Sequence, residues 1–396
     1  MKKWSVVTSL LVLSVIILAL GIVGSAQEGP KRLKIGALLP MTGPGAAWGV
    51  DQQRCMQLVV DDINGKGGIK IGGKSHMIEV VIGDDKYTGA GATDAVSRLI
   101  YEQGVKYIIG PIGSTPVLAV SPIVTKAKVL LLPNSFVKEA IGPDKPYNFR
   151  IFFTSNEIDP IIWRYVKKNY PQVKTVVAIG SNDATGIGQT NDVEKAAQAE
   201  GVKVLSKELH ELGITDFNPL AAKVVAMKPD VIDPTCTPLG YGAKVIKALY
   251  EVGYKGILVS TAWSDARAIV PVTGKNAIEG MIGRSLDQFN PASPPRLRQF
   301  AERYLKKYGE APLLDIPMFA QPIWWLEQAM EATQSLEVDK IVAYFENPKN
   351  VFQTVFGEGK FGGKEYYGVN HQIIMPIPVC VIRDGKNVMV QEPQMP

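Results

Sequence analysis

The sequence predicts an α/β protein of two Rossmann-like lobes, each with a parallel central sheet covered by helices. Three observations point there. Short, nearly continuous apolar runs alternate with amphipathic helical stretches, the pattern of strands buried on both faces. The alternation restarts at Lys174, so the chain holds two units of similar size instead of one long sheet. At 396 residues it is long enough to build two cores.

Residues 1–26 precede the first strand. Lys2 and Lys3 lead an apolar run from Val6 to Val23, and Gly24-Ser25-Ala26 supplies a small-x-small cleavage pattern. This reads as a secretory signal peptide cut after Ala26, with an uncleaved membrane anchor as the alternative. No Cys follows the cut, so no lipid anchor is expected at the mature N-terminus. A soluble periplasmic protein of a Gram-negative envelope is the expectation.

In the first unit, LKIGALLP, HMIEVVIGDD, VKYIIGP and KVLLLPNS read as strands, with helices over 49–64 and 90–102. Between the first strand and its helix lies LLPMTGPGAAWGV. Its Gly and Ala residues let backbone approach whatever lies opposite. Trp48 then either staples onto its own helix or has a ligand packed against it. In the second unit KTVVAIGSND, KVLSKEL, PDVIDPTC and GILVSTAW read as strands, and 241–250 as a helix. The tail adds helices over 295–308 and 317–335, then a hairpin of 373–383 with 387–390 around Asp384-Gly385.

The formal charge of +5 contains no basic run, which excludes a nucleic-acid footprint. Cys55, Cys236 and Cys380 sit in apolar or helical stretches and read as buried thiols, although one pair could bridge. His76, His210 and His371 are far apart and carry no metal-ligand spacing. Ser114 lies in GPIGSTP, which is no nucleophile elbow. Asp84-Asp85 end a strand before a Gly-rich turn, where capping is favoured over acid–base work. GAGATDA and DATGIGQ lack the full dinucleotide fingerprint. No catalytic residue, metal or cofactor is expected.

In an open parallel sheet, ligands bind at the carboxyl ends of the strands. Those ends carry Thr42 to Trp48, Ser114 and Thr115, Asn134, Ser135 and Phe136, Asp183 and Thr185, Thr235 and Cys236, and Trp263 and Asp265. Hydroxyls and amides of this kind suit neutral and carboxylate groups. The other reading is that many of them only cap the following helices.

The ordered series KIGALLPMTGPGAAWG, DDINGKGGI, IEVVIGDDKYTGAGATDAVSRLI and VKYIIGPIGS resembles the Leu/Ile/Val-binding protein family. These are solute-binding proteins of ABC importers with the type I periplasmic-binding fold. The similarity runs from about residue 33 to 283 and is strongest before Pro133. The resemblance implies lobes of 31–148 plus 283–355 and 149–282 plus 356–396, joined by a three-segment hinge. It implies Trp48 as the cover of the ligand. Ser114, Thr115, Asn134, Ser135 and Phe136 match the loops that hold the ligand carboxylate and ammonium. Thr185 stands where the family has a tyrosine, and another tyrosine falls at Thr235 to Thr237. The acid that pairs an amino group falls near Trp263, with Asp265 two residues on. These departures favour a small carboxylate with a planar body over leucine or valine. The competing reading pairs an ammonium with Asp265 or Asp183. Partners implied by the resemblance are a small solute and a membrane permease with its cytoplasmic ATPase, and a monomer is expected. A ligand-sensing subunit for a chemoreceptor or sensor kinase is the alternative role, and an envelope hydrolase the enzymatic one.

Overall fold

The computed structural model describes residues 31–236 and 238–396, with the backbone alone at 44, 235 and 236. The expected signal peptide lies outside the described residues.

The first sheet has the order β2-β3-β1-β4-β5. β1 (Lys31–Leu39) sits at its centre, parallel to β3 (Lys74–Asp84) and to β4 (Tyr107–Ile112). β5 (Leu130–Asn134) runs parallel beside β4, and β2 (Ile69–Ile71) closes the other edge as a hairpin with β3. Every residue of β4 and β5 is buried, which is why both read as unbroken apolar runs. Helices Ala46–Gly65, Gly89–Ser97 and Ser114–Ala127 make the crossovers. The second of these continues to Glu102 as a wider π turn, as far as the periodicity predicts.

The second sheet has the order β15-β14-β10-β9-β8-β6-β7. Its parallel part is β6 (Thr175–Ser181), β7 (Lys203–His210), β8 (Val231–Cys236), β9 (Ile257–Ser260) and β10 (Ile282–Gly283). Helices Ala184–Ala199, Asn218–Ala226 and Leu239–Glu251 cover it. A three-stranded antiparallel sheet of β11 (Phe352–Thr354), β12 (Gly357–Gly362) and β13 (Gln372–Ile374) lies between the two large ones in the chain. The hairpin of β14 (Ile377–Arg383) and β15 (Lys386–Gln394) then joins the second sheet antiparallel to β10. Asp384 and Gly385 turn it with φ of 50° and 73°, the left-handed pair that a tight hairpin needs. Ile373, placed by the sequence in this hairpin, belongs instead to β13.

The tail differs from its expected form in two places. Residues 317–335 are not one helix: Pro317–Ala320 makes one helical turn, Gln321 keeps helical backbone angles, and a separate helix, Pro322–Thr333, follows. Pro322 has no N–H to continue a helix and a φ suited to starting one. The second difference concerns the last crossing, expected at residues 355–356. That peptide lies in the turn between β11 and β12, so a lobe boundary there would cut a continuous hairpin. Phe352 and Phe361 meet edge-on, and both ring systems pack with Phe345 and Trp325. Phe361 also meets Phe149, where the chain first leaves the five-stranded sheet. We propose, from this continuity, that the last crossing follows β13, at Met375 and Pro376.

Candidate functional site

The carboxyl ends of the two large sheets face one another across a cavity with about 770 Å3 of empty space, its open mouth included. The first lobe's wall starts from the small residues after β1. A Cβ on Gly49 would lie 2.3 Å from the Pro40 carbonyl oxygen, so only glycine lets the helix start so close to the strand. Asp84 fixes the loop between them. Its carboxylate accepts from the amides of Met41 (3.0 Å), Thr42 (3.3 Å) and Lys86 (2.9 Å), and from the Thr42 hydroxyl (2.7 Å). Burial pushes this carboxyl up, but the four hydrogen bonds outweigh it and hold it below the usual range.

Trp48, on the first turn of Ala46–Gly65, therefore faces the cavity, with the Tyr87 ring 6.1 Å away and tilted by 58°. Tyr87 holds an unusual φ of 58° and lies across Gly113, whose added Cβ would come within 2.8 Å of the ring. Burial drives the Tyr87 phenol well above its ordinary pKa, so it stays protonated. Ile112, Asn134 and Phe136 complete this wall.

From the second lobe come Thr185, Gln189, Leu239 and Trp263. Trp263 is packed against helix Leu239–Glu251 at Gly242, where a Cβ would stand 2.0 Å from the indole. The floor is Phe152, Phe319 and the segment of Leu313, Leu314, Asp315 and Ile316. Two carboxylates hold that segment from either side. Asp51 of the first lobe accepts from the Leu313 amide (2.6 Å), and Asp265 of the second accepts from the Leu314 amide (2.9 Å).

Of the residues singled out in the sequence, Trp48, Asn134, Phe136, Thr185, Trp263 and Asp265 line the cavity together. Ser114 and Ser135 are fully buried just behind its wall. The Ser135 hydroxyl donates to Ser114 Oγ (3.1 Å), which also accepts from the Phe136 amide (3.2 Å). Thr115 points away and is exposed. The side chains of Thr235 and Cys236, and Thr237 altogether, lie outside the described residues. Asp183 caps its own helix, accepting from the Gly186 amide at 2.8 Å. Asp265 likewise accepts from the Arg267 amide (3.0 Å) besides that of Leu314, so both of its oxygens are already engaged. Cys55 and Cys380 are free buried thiols.

Besides the Leu314–Asp265 bond, a second hydrogen bond links the lobes inside the site. The Ser114 amide donates to Thr185 Oγ1 at 2.9 Å. Sequence reasoning missed Tyr87, Phe152, Gln189, Arg284 and the 313–316 segment. Arg284 did leave a signal, as a charge directly after the apolar end of β10.

Two lobes clasping a mostly apolar cavity at their strand ends define a two-lobed small-molecule-binding protein. The sequence from residue 32 to 387 matches the family model described as "Periplasmic binding protein", and the chain belongs to that family, in its Leu/Ile/Val-binding branch. It is 26% identical over 327 residues to Leu/Ile/Val-binding protein homolog 8 of Brucella abortus, covering 78% of this chain and 79% of that one. Among solved structures it resembles LivJ of Streptococcus pneumoniae, the branched-chain amino acid transporter substrate-binding protein, in complex with isoleucine. The TM-score is 0.78 at 22% identity, over 92% of this chain and 100% of that one. A solute-binding protein of an ABC transporter from Rhodopseudomonas palustris, in complex with 3,4-dihydroxybenzoic acid, aligns with a TM-score of 0.76 at 21% identity. That match covers 92% of this chain and 99% of the other.

Proposed function

We propose that this chain is the extracytoplasmic solute-binding protein of an ABC importer and captures a small planar carboxylate between its lobes without chemical turnover. The observation that carries the solute class is the state of Asp265. Both its oxygens accept backbone amides and Oδ1 lies 3.6 Å from the Arg267 guanidinium, so at the position where the family pairs an amino group the charge already has its counter-ion. An α-ammonium buried there would cost several kcal/mol. A planar body, in contrast, meets Trp48 and Trp263 from opposite lobes. The relatives' named ligands, isoleucine and a dihydroxybenzoic acid, mark the two classes to be told apart. The donors for a carboxylate are the Ser114 amide, now satisfied by Thr185, and the Asn134 side chain.

Calorimetry on refolded, ligand-stripped protein tests this with leucine, valine, phenylalanine, benzoate and phenylacetate. The aromatic acids bind, and Trp48→Ala weakens them at least about tenfold, from lost ring contacts and lost burial together. Tight leucine binding that collapses in Asp265→Asn would overturn the planar-acid reading. Residues 1–26 are proposed as the leader, so the secreted protein's intact mass should start at Gln27. A retained leader in a membrane fraction would refute that.

A further inference from the structure

The floor of the cavity holds an ion pair with one donor and one acceptor left over. Arg284 is fully buried, its guanidinium 4.8 Å from the Phe152 ring centre and 4.6 Å from that of Phe153. Its Nε donates to the Thr261 carbonyl (3.2 Å) and its Nη2 to that of Ala262. The third nitrogen, Nη1, lies 3.1 Å from Asp315 Oδ2 in an ion pair but makes no aligned hydrogen bond. Asp315 Oδ2 also accepts the Ser285 hydroxyl (2.9 Å), whereas Oδ1 is buried with no partner among the described residues. Both residues line the same cavity.

We propose that Arg284 and Asp315 form a hydroxyl-recognising subsite, resting on the planar-acid reading above, so that the preferred solute carries a ring hydroxyl as well as its carboxylate. Each charge already has its counter-ion. A second carboxylate would have to compete with Asp315 for Arg284, and an ammonium with Arg284 for Asp315, each leaving a buried charge unmatched. A neutral hydroxyl needs no such exchange: its hydrogen goes to Asp315 Oδ1 and its oxygen accepts from Arg284 Nη1. The subsite is separate from the carboxylate donors. The guanidinium lies 4.8 Å from the Phe152 ring centre, which is itself 6.2 Å from that of Phe136, beside the Ser114 and Ser135 wall. Buried polar groups that await a partner discriminate strongly against a ligand lacking it.

The test is calorimetry of the ligand-stripped full chain with benzoate, 3-hydroxybenzoate and 4-hydroxybenzoate. At least one hydroxy acid binds tenfold or more tighter than benzoate. In Asp315→Ala that ratio falls to within threefold. Because Asp315→Ala leaves a buried guanidinium unpaired and could fail to fold, the double variant Arg284→Met/Asp315→Leu, which removes both charges, is measured alongside and gives the same loss of preference. Benzoate binding with no preference for either hydroxy acid, or a preference that survives in the variants, overturns the subsite alone. Binding of none of the three acids overturns the planar-acid reading and the subsite with it.

Discussion

Asp84 and Asp85 are adjacent carboxylates with opposite behaviour. Asp84 faces four donors and is held below the usual range, whereas Asp85 is fully buried with one donor, the Tyr87 amide at 2.7 Å. Burial lifts Asp85 to about 7, that one hydrogen bond opposes the rise, and the neighbouring Asp84 charge adds to it. In the unfolded chain the same carboxyl releases its proton near pH 4. Between these values the folded state binds the extra proton, so Asp85 contributes stability that is fully present below about pH 4 and lost as pH rises to about 7. Asp84 has the opposite sign, stabilising above its unfolded pKa and failing as pH falls through its depressed folded one. Asp85→Asn keeps an oxygen for the Tyr87 amide and removes the cost of ionisation. Its melting temperature should climb above that of the wild type as pH rises from 5 to 8, an effect of at most about 4 kcal/mol. A difference that stays constant across that range would show that Asp85 does not titrate as described. The consequence reaches the site, because the Asp85 carboxylate anchors the left-handed turn that presents Tyr87.

At the scale of the element, helix Leu239–Glu251 sets Trp263 in place through Gly242. Alanine there would gain about 1 kcal/mol of helix propensity. The added Cβ would stand 2.0 Å from the indole, and an overpacked contact costs about 1–3 kcal/mol. The second effect wins: Gly242→Ala should melt lower and bind its solute more weakly as Trp263 is forced to move. Gly240→Ala, with nothing within 4 Å of the added Cβ, serves as the control and should hold or raise the melting temperature. Equal behaviour of the two variants would dismiss the packing argument. The same elements show what the sequence reveals. The central strands of both sheets are legible because burial on both faces leaves unbroken apolar runs, and their ends led to Asn134, Phe136, Thr185 and Trp263. Side-chain direction was not legible there: successive helical residues point about 100° apart, so Ser114 turns inward and Thr115 outward. The 313–316 segment left no local sign, since carboxylates from two distant parts of the chain, Asp51 and Asp265, position it. The break at Pro322 was legible in principle, from a residue that cannot donate its backbone N–H.

For the whole molecule, the question is what holds the lobes together. Across the cleft the Ser114 amide meets Thr185 Oγ1, and Ala184 packs on the small cluster of Val117, Val137 and Ala140. The Tyr366 ring lies between Lys138 (4.4 Å) and Lys195 (5.1 Å), one ammonium from each lobe. Asp265 also accepts from the Leu314 amide and the Arg267 guanidinium donates to the Pro312 carbonyl, and each of these contacts is modest. Closure is then a balance of a few kcal/mol, which a solute touching both lobes can tip. Thr185→Val keeps the side chain's shape and removes the acceptor, deleting a bond worth about 1 kcal/mol. The ligand-free closed-to-open ratio should therefore fall about fivefold. Small-angle scattering, or energy transfer between dyes on the two lobes, should find the ligand-free variant more open than the wild type. A saturating planar acid should return both proteins to the same compact state. If the ligand-free profiles coincide, the Ser114–Thr185 bond does not govern closure, and if the acid changes neither profile, the solute is held by one lobe alone.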